Sequence, residues 1–247
     1  MNKIYIFDVD GTLTPSRQYM TKQFEAFFDD WVKKNFFFLV TGSDIDKLKE
    51  QISQEHLNRA LGVFCCAGNK LYINNELQYE NKFEPPQSLI DYLKDKLETA
   101  EFLPRCGNHI EDRGSMLNFS VVGRDCTQSQ REMYFDYDNK NNERKKISKG
   151  INFGWPELEA VIGGQISIDI YPKGKDKSQI FEYIEKILKS KVQSTYHAMT
   201  YHFIGDRTEE GGNDYPLAKL MEETDNCYSY QTEGPENTQE ILEKLID

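Results

Sequence analysis

The chain has 247 residues, 38% of them hydrophobic and 29% charged, with a formal net charge of −11 at pH 7. That length suits one large domain or two small ones with a substantial buried core. The acidity argues against nucleic acid or an anionic membrane as the main partner, so an anionic substrate needs a local basic cluster or a metal ion.

"KIYIF" is a continuous β-rich run that stops at turn residues, which predicts a strand buried on both faces. "TKQFEAFFDDWVKK" spaces Phe24, Phe27, Phe28 and Trp31 at helical intervals. "FFFLVTGSD" predicts a second buried strand, with Ser43 or Asp44 placed to cap the helix begun by "IDKLKEQI". "VFCCAG" predicts a third strand, followed by a hairpin-like "KLYINNELQYE" around Asn74-Asn75. Alternating strands and helices of this kind predict a parallel α/β sheet.

The middle of the chain changes character. "SLIDYLKDKLETA" predicts an amphipathic helix, "HIEDRGSMLNFSVVGR" and "GGQISIDIYP" alternate as antiparallel strands do, and "TQSQREMYFDYDNKNNERKKI" between them predicts a helix. From "DKSQIFEYIEKIL" the α/β rhythm returns, through "YHFIGDRT" to a final helix over "NTQEILEKLI". The expected fold class is therefore α/β, a core of residues 1–81 and 174–247 carrying an inserted α+β domain at 82–173. Five cysteines, two of them adjacent and none in a CxxC pair, suggest neither a disulfide framework nor a zinc site. The longest apolar run, "FFFLV", is too short to span a bilayer, and no basic leader follows Met1, so the expected location is cytoplasmic.

The chemistry is concentrated where strands end. In "FDVDGTLT", Asp8 and Asp10 follow a predicted parallel strand, the end at which ligands gather in open α/β sheets. Two close carboxylates repel and need a cation or a shared proton, and a hard Mg²⁺ ion is a natural partner. Gly11 permits a tight turn, after which the amides and Thr12 are positioned to cradle a phosphate. Eight arginines are present, and five of them (Arg105, Arg113, Arg124, Arg131, Arg144) fall between residues 105 and 144, a candidate basic cluster.

"FDVDGTLT" resembles the first signature of the haloacid dehalogenase superfamily of phosphotransferases. The resemblance implies that Asp8 attacks phosphorus to form an aspartyl-phosphate. It makes Asp10 the general acid/base, with a backbone carbonyl that binds Mg²⁺. A carboxylate is a competent nucleophile for this transfer, with metal and amides stabilising charge on the phosphoryl oxygens. "FFLVTGSD" is similar to the second signature, whose phosphate-binding hydroxyl is Thr41 or Ser43. "KGKDKSQIF" supplies the lysine of the third; Lys177 is favoured over Lys173 and Lys175 because it opens a predicted helix. "YHFIGDRTEEGGND" resembles the fourth, with Asp206 as a metal ligand and Asp214 beside it.

An insert between the second and third signatures marks a cap domain. Here it resembles that of the eukaryotic-type phosphomannomutases, and the similarity extends over nearly the whole chain. "FDVDGTLTPSRQ" adds Arg17 to the site. "IEDRGSMLNFSVVGRDCTQSQREMYFDYD" matches the family's cap at Arg113, Met116, Leu117, Asn118, Arg124 and Arg131, and "GGQISIDIYPKGKDK" matches at Ser167 and Asp169. A mutase must grip a second, distal phosphate, and guanidinium forks at Arg113, Arg124 and Arg131 suit that. Ser167 and Asp169 alternate on a strand and face the same way.

The resemblance implies interconversion of mannose 6-phosphate and mannose 1-phosphate with Mg²⁺ and a hexose 1,6-bisphosphate primer (glucose or mannose 1,6-bisphosphate). It also implies a homodimer formed through the caps and a place in GDP-mannose biosynthesis. Two departures stand out: "CCAGNKLY" replaces a Pro-Glu-Asn-Gly segment, and no acidic loop for a second cation follows "GGND". The alternative activity is a sugar-phosphate phosphatase on the same scaffold, and a non-catalytic binding protein is a rival of another class.

Overall fold

A computed structural model describes residues 2–191 and 199–245. The chain forms two compact units, Met1–Glu80 with Lys175–Asp247, and Asn81–Gly174. The first unit opens with β1 (Asn2–Phe7), whose alternation turns Ile4 and Ile6 to one face of a sheet and Tyr5 and Phe7 to the other. In α1 (Lys22–Trp31), Phe24, Phe28 and Trp31 form one buried stripe, and the Thr21 hydroxyl caps the helix by accepting from the Phe24 amide. Trp31 meets Tyr5 edge-on at 4.7 Å between ring centroids, and Phe28 meets Phe7 at 5.9 Å. Each buried aromatic of this layer contributes on the order of 1.5–3 kcal/mol.

β2 (Phe36–Val40) extends the sheet. Of the two capping candidates that follow it, Asp44 caps α2 (Ile45–Lys49), accepting from the Lys47 amide at 2.9 Å. After α3 (Gln54–Arg59) come β3 (Val63–Cys65) and the hairpin of β4 (Lys70–Ile73) and β5 (Glu76–Glu80). Asn74 and Asn75 link that hairpin at φ +52° and +64°, as a type I′ turn requires.

The second unit contains α4 (Gln87–Thr99), β6 (Ile110–Asp112), β7 (Leu117–Phe119), α5 (Gln128–Asn141), α6 (Glu143–Gly154), β8 (Leu158–Gly163) and β9 (Ser167–Pro172). Its strands pair antiparallel in the order β6-β7-β9-β8. The helix expected across residues 127–147 is two helices. Asn142 adopts φ +54° and its amide donates to the Asp138 carbonyl at 2.7 Å, which closes α5 and starts α6 in a new direction. Strand β8 is not apparent in the sequence pattern, because only Leu158 and Ala160 precede the run Val161-Ile162 and the alternation is short. Leu89, Leu93, Phe119, Tyr134, Ile151, Ile168 and Ile170 lie at the centre of this unit's core.

The chain then re-enters the first unit through a 3-10 turn at Lys177–Gln179, capped by the Asp176 side chain, and runs into α7 (Ile180–Lys191). β10 (Met199–Gly205), α8 (Tyr215–Glu222), β11 (Cys227–Gln231) and α9 (Pro235–Leu245) complete it. Neither α8 nor β11 is read from the sequence; the Ile246 end of the predicted last helix and Met1 lie outside the described residues. The seven strands run β11-β10-β1-β2-β3-β4-β5, the first five parallel and the last two antiparallel. Ile4, Ile6, Phe38, Val40 and Phe203 pack on Ile180, Ile184, Leu188, Leu217 and Met221. None of the five cysteines is in a disulfide, and Cys65, Cys66 and Cys227 are buried as small apolar groups. Among the described residues no helix is long and apolar enough to cross a membrane.

Candidate active site

β1 and β10 are parallel neighbours with Phe7 opposite Ile204, so the segments that leave them start side by side. Asp8 follows β1 directly and donates its amide to the Ile204 carbonyl at 3.0 Å; Asp206 follows β10. Asp214, fully buried, precedes α8. Among the described residues these three carboxylates converge, one oxygen of each lying within 4.8 Å of the others. Two glycines make this possible. A Cβ on Gly11, at φ +86°, would lie 2.6 Å from Asp206 Oδ2, and one on Gly205 would lie 2.6 Å from Asp214 Oδ2.

The Lys177 ammonium, itself wholly buried, donates to Asp8 Oδ1 and to Asp214 Oδ1, both at 2.6 Å. Of the three candidate lysines, Lys173 is exposed and Lys175 half-buried. Thr12 Oγ1 donates to Asp8 Oδ2 at 3.3 Å, and the Arg207 amide donates to Asp214 Oδ2 at 3.1 Å. Burial first, then the Asp214 and Asp10 charges, push the Asp8 carboxyl up to about 7 against the downward pull of Lys177. Burial, then the Asp8 and Asp214 charges, raise Asp206 well above the usual carboxylate range. Burial alone would lower Lys177, yet the Asp214 and Asp8 carboxylates reverse that and raise it. When all three are ionised, one ammonium leaves two negative charges uncompensated, and the donors are all oxygen. That set fits a hard divalent cation such as Mg²⁺.

The Asp10 side chain lies outside the trio. Its Oδ1 accepts from the Arg17 amide at 2.8 Å and from Gln51 Nε2 at 2.9 Å. Arg17, held at φ +61°, extends Nη1 to Ser43 Oγ at 3.4 Å. The Thr41 hydroxyl instead accepts from the Ser43 amide at 3.0 Å within its own loop. The turn amides do not form the expected phosphate cradle. Those of Thr12, Leu13 and Thr14 donate to the Val9 carbonyl and that of Gly11 to the Thr14 carbonyl, so all four are engaged inside the turn.

In the second unit four of the five clustered arginines separate into two sorts. Arg105 donates to the carbonyls of Leu97, Ala100 and Phe102, and Arg144 pairs with Asp138 at 2.7 Å while reaching the Gly164 carbonyl; both are internal ties. Arg113 and Arg124 converge on Glu111 Oε2, with Arg113 Nε at 2.9 Å and Arg124 Nε at 3.7 Å. Arg124 Nη1 also donates to Ser167 Oγ at 2.8 Å. Asn118 and Asp169 are register partners across β7 and β9, joined by a 2.7 Å bond from Nδ2 to Oδ1. Arg131 is buried on α5. Sequence reasoning missed Glu111, which strand alternation two residues before Arg113 signals, and Gln51, which carries no local signal.

Solved structures with the same fold include a trehalose-6-phosphate phosphatase C-terminal domain from C. albicans. It has a TM-score of 0.64 at 17% identity and covers 99% of this chain and 91% of that one. A haloacid dehalogenase-like hydrolase from Bacteroides thetaiotaomicron has a TM-score of 0.58 at 14% identity over the full length of both chains. At those identities the likeness speaks for the haloacid dehalogenase-like α/β fold alone. Among sequence relatives, a phosphomannomutase of Drosophila melanogaster is 32% identical over 99% of this chain and 95% of its own. One from Encephalitozoon cuniculi is 35% identical over 87% and 83%, and a probable phosphomannomutase of Caenorhabditis elegans is 30% identical over 98% and 95%. The family model for eukaryotic phosphomannomutase matches residues 24–247, and the chain belongs to that family.

Proposed function

We propose that this family member interconverts mannose 6-phosphate and mannose 1-phosphate by moving a phosphoryl group on and off Asp8. The observation that carries the reading is the burial of Asp8 among two further carboxylates, with the Lys177 ammonium on its Oδ1. A free hydroxyl of the sugar monophosphate attacks phosphorus on phospho-Asp8. The bond to the Asp8 carboxylate breaks, and Asp10 takes the hydroxyl proton. The resulting hexose 1,6-bisphosphate turns end for end. Its other phosphoryl group passes to Asp8, and Asp10 returns the proton to the departing sugar oxygen. Glucose or mannose 1,6-bisphosphate primes the cycle by loading Asp8.

In this reading Asp8, the Asp10 carbonyl and Asp206, with Asp214 beside them, hold Mg²⁺, which supplies positive charge for the transferring oxygens. Lys177, Arg17 and Ser43 hold the transferring phosphate, and Arg113, Arg124, Arg131, Ser167 and Asp169 hold the distal end of the sugar phosphate. In the same reading the inserted unit is the substrate-specificity domain. A homodimer through that domain, a cytoplasmic location and supply of GDP-mannose synthesis belong to the same reading.

The test is a ³¹P NMR time course with mannose 1-phosphate, Mg²⁺ and catalytic glucose 1,6-bisphosphate. Growth of the mannose 6-phosphate signal is expected. Growth of inorganic phosphate in its place would replace the mutase with a sugar-phosphate phosphatase.

A further inference from the structure

The segment "CCAGN" is where the sequence departs from the family pattern, and it has the most unusual backbone in the first unit. Cys66, Ala67 and Gly68 follow one another at φ +53°, +55° and +89°, a run of left-handed residues of which two carry side chains. Such a run persists only where its surroundings fix it. The Cys66 amide donates to the Ser43 carbonyl at 3.0 Å and the Ala67 amide to the Thr41 carbonyl at 2.9 Å. On the other side, successive carbonyls accept from side chains: Cys66 from Asn69 at 2.9 Å, Ala67 from Gln179 at 3.2 Å, and Gly68 from Tyr79 at 2.6 Å. A Cβ on Gly68 would lie 2.6 Å from Ile180 Cγ2, so the turn lies directly against the start of α7.

Asn69 is the joint between this turn and the lysine. It is completely buried, and its Nδ2 donates to the Lys175 carbonyl at 2.8 Å while its Oδ1 accepts from Gln179 Nε2 at 3.3 Å. Those contacts fall two residues before and two residues after Lys177. The lysine must hold one ammonium at 2.6 Å from each of two carboxylates, which leaves its backbone little tolerance. A side-chain amide offers a donor and an acceptor on one rigid plane, a combination neither an aspartate nor an aliphatic side chain reproduces.

We propose that Asn69 is a positioning residue, which seats Lys177 for phosphoryl transfer by clasping the chain on both sides of it. The proposal rests on the reading of Lys177 as a residue of the active site. The test compares Asn69→Ala, Tyr79→Phe and Lys177→Met by steady-state kinetics on mannose 1-phosphate and by hydrogen exchange of the amides at 175–180.

Asn69→Ala is expected to lower kcat between about 10- and 100-fold with little change in KM, since small misplacements cost this much. Its amides at 175–180 should exchange faster while those of the second unit do not. Tyr79→Phe, which loosens the same turn without touching the lysine segment, should retain kcat. Should Asn69→Ala not fold, Gln179→Ala cuts the other side of the clasp at a half-buried position and carries the same expectation. Unchanged exchange at 175–180 overturns the proposal. So does a kcat within twofold of the parent while Lys177→Met is inactive. If Lys177→Met itself keeps full activity, the reading of Lys177 fails, and the exchange measurement alone then decides whether Asn69 clasps the segment.

Discussion

Gln51 donates its side-chain amide to Asp10 Oδ1 at 2.9 Å, across 41 residues of chain. The same nitrogen lies 3.2 Å from Thr14 Oγ1, and the Arg17 amide donates to the same Asp10 oxygen. One oxygen of the proposed acid/base is thereby fixed, which leaves Oδ2 to take and return the proton. Gln51→Leu removes one of the two fixing bonds while keeping the side chain's bulk. It should lower kcat about tenfold or more, short of the 10²–10⁴ that general acid–base catalysis supplies in full. Paired kcat and KM measurements check this, with KM for the sugar phosphate expected to stay near the parent value.

Removing the buried ammonium should make the protein depend on its cation for stability. Lys177→Met leaves Asp8, Asp206 and Asp214 facing one another without their internal counter-charge. Breaking a buried pair in this way costs on the order of 3–5 kcal/mol. Thermal unfolding with and without Mg²⁺ is the measurement. The variant should melt well below the parent without metal and gain more from added Mg²⁺ than the parent does.

The arginine pair of the second unit should govern affinity for the far end of the substrate. Arg124 donates to Ser167 and shares Glu111 with Arg113, so Arg124→Leu removes a fork and leaves its neighbours in place. Loss of a charge-assisted bond of about 1.5–3 kcal/mol predicts a rise in KM of roughly 10- to 100-fold. Arg144→Leu, by contrast, breaks a pair with Asp138 that ties the unit together. It should appear first as a lower melting temperature. Retention of turnover by Arg124→Leu at unchanged KM would remove the distal clamp from the mechanism.

Acid sensitivity has an identifiable source away from the site. His202 lies in the β10 layer against Tyr5, Tyr228 and Tyr230, with Nε2 at 3.0 Å from Thr200 Oγ1 and Nδ1 at 3.1 Å from Tyr230 Oη. Burial, with a contribution from Lys3, lowers it to about 4 from an ordinary 6.5. Between those values the unfolded chain binds a proton that the folded chain does not, so stability falls as pH drops through the window. The buried Asp8 and Asp206 carboxyls act in the opposite direction, so urea unfolding of the parent is compared with His202→Phe at each pH. From pH 6.5 to 4 the parent should lose stability relative to the variant by up to about 1.4 kcal/mol per pH unit.

Much of the fold is legible because its signals are local. Phe24, Phe28 and Trp31 repeat at helical spacing whatever they pack against, and Asn74-Asn75 supplies the left-handed pair that a two-residue hairpin needs. The elements that escape notice have weak local patterns. β11 is a short edge strand with only Cys227 buried, and the split between α5 and α6 depends on one asparagine adopting φ +54° in an otherwise helical stretch. At the strand ends, Asp8 and Asp10 stand out because two carboxylates before a glycine are costly without a purpose.

By itself, the sequence determined the strands and turns with strong local patterns, β8 and β11 excepted, and with them which aspartates follow parallel strands. Those features follow from residue type and spacing within a few positions. The tertiary structure brought Lys177, which its place at a helix start already favoured, to Asp8, and it alone decided that Gln51 holds Asp10. It also separated Arg105 and Arg144, as internal ties, from Arg113 and Arg124. Each of those choices is a hydrogen bond set to a few tenths of an ångström by how whole elements pack. Residues that meet only through packing leave no periodic trace in the chain.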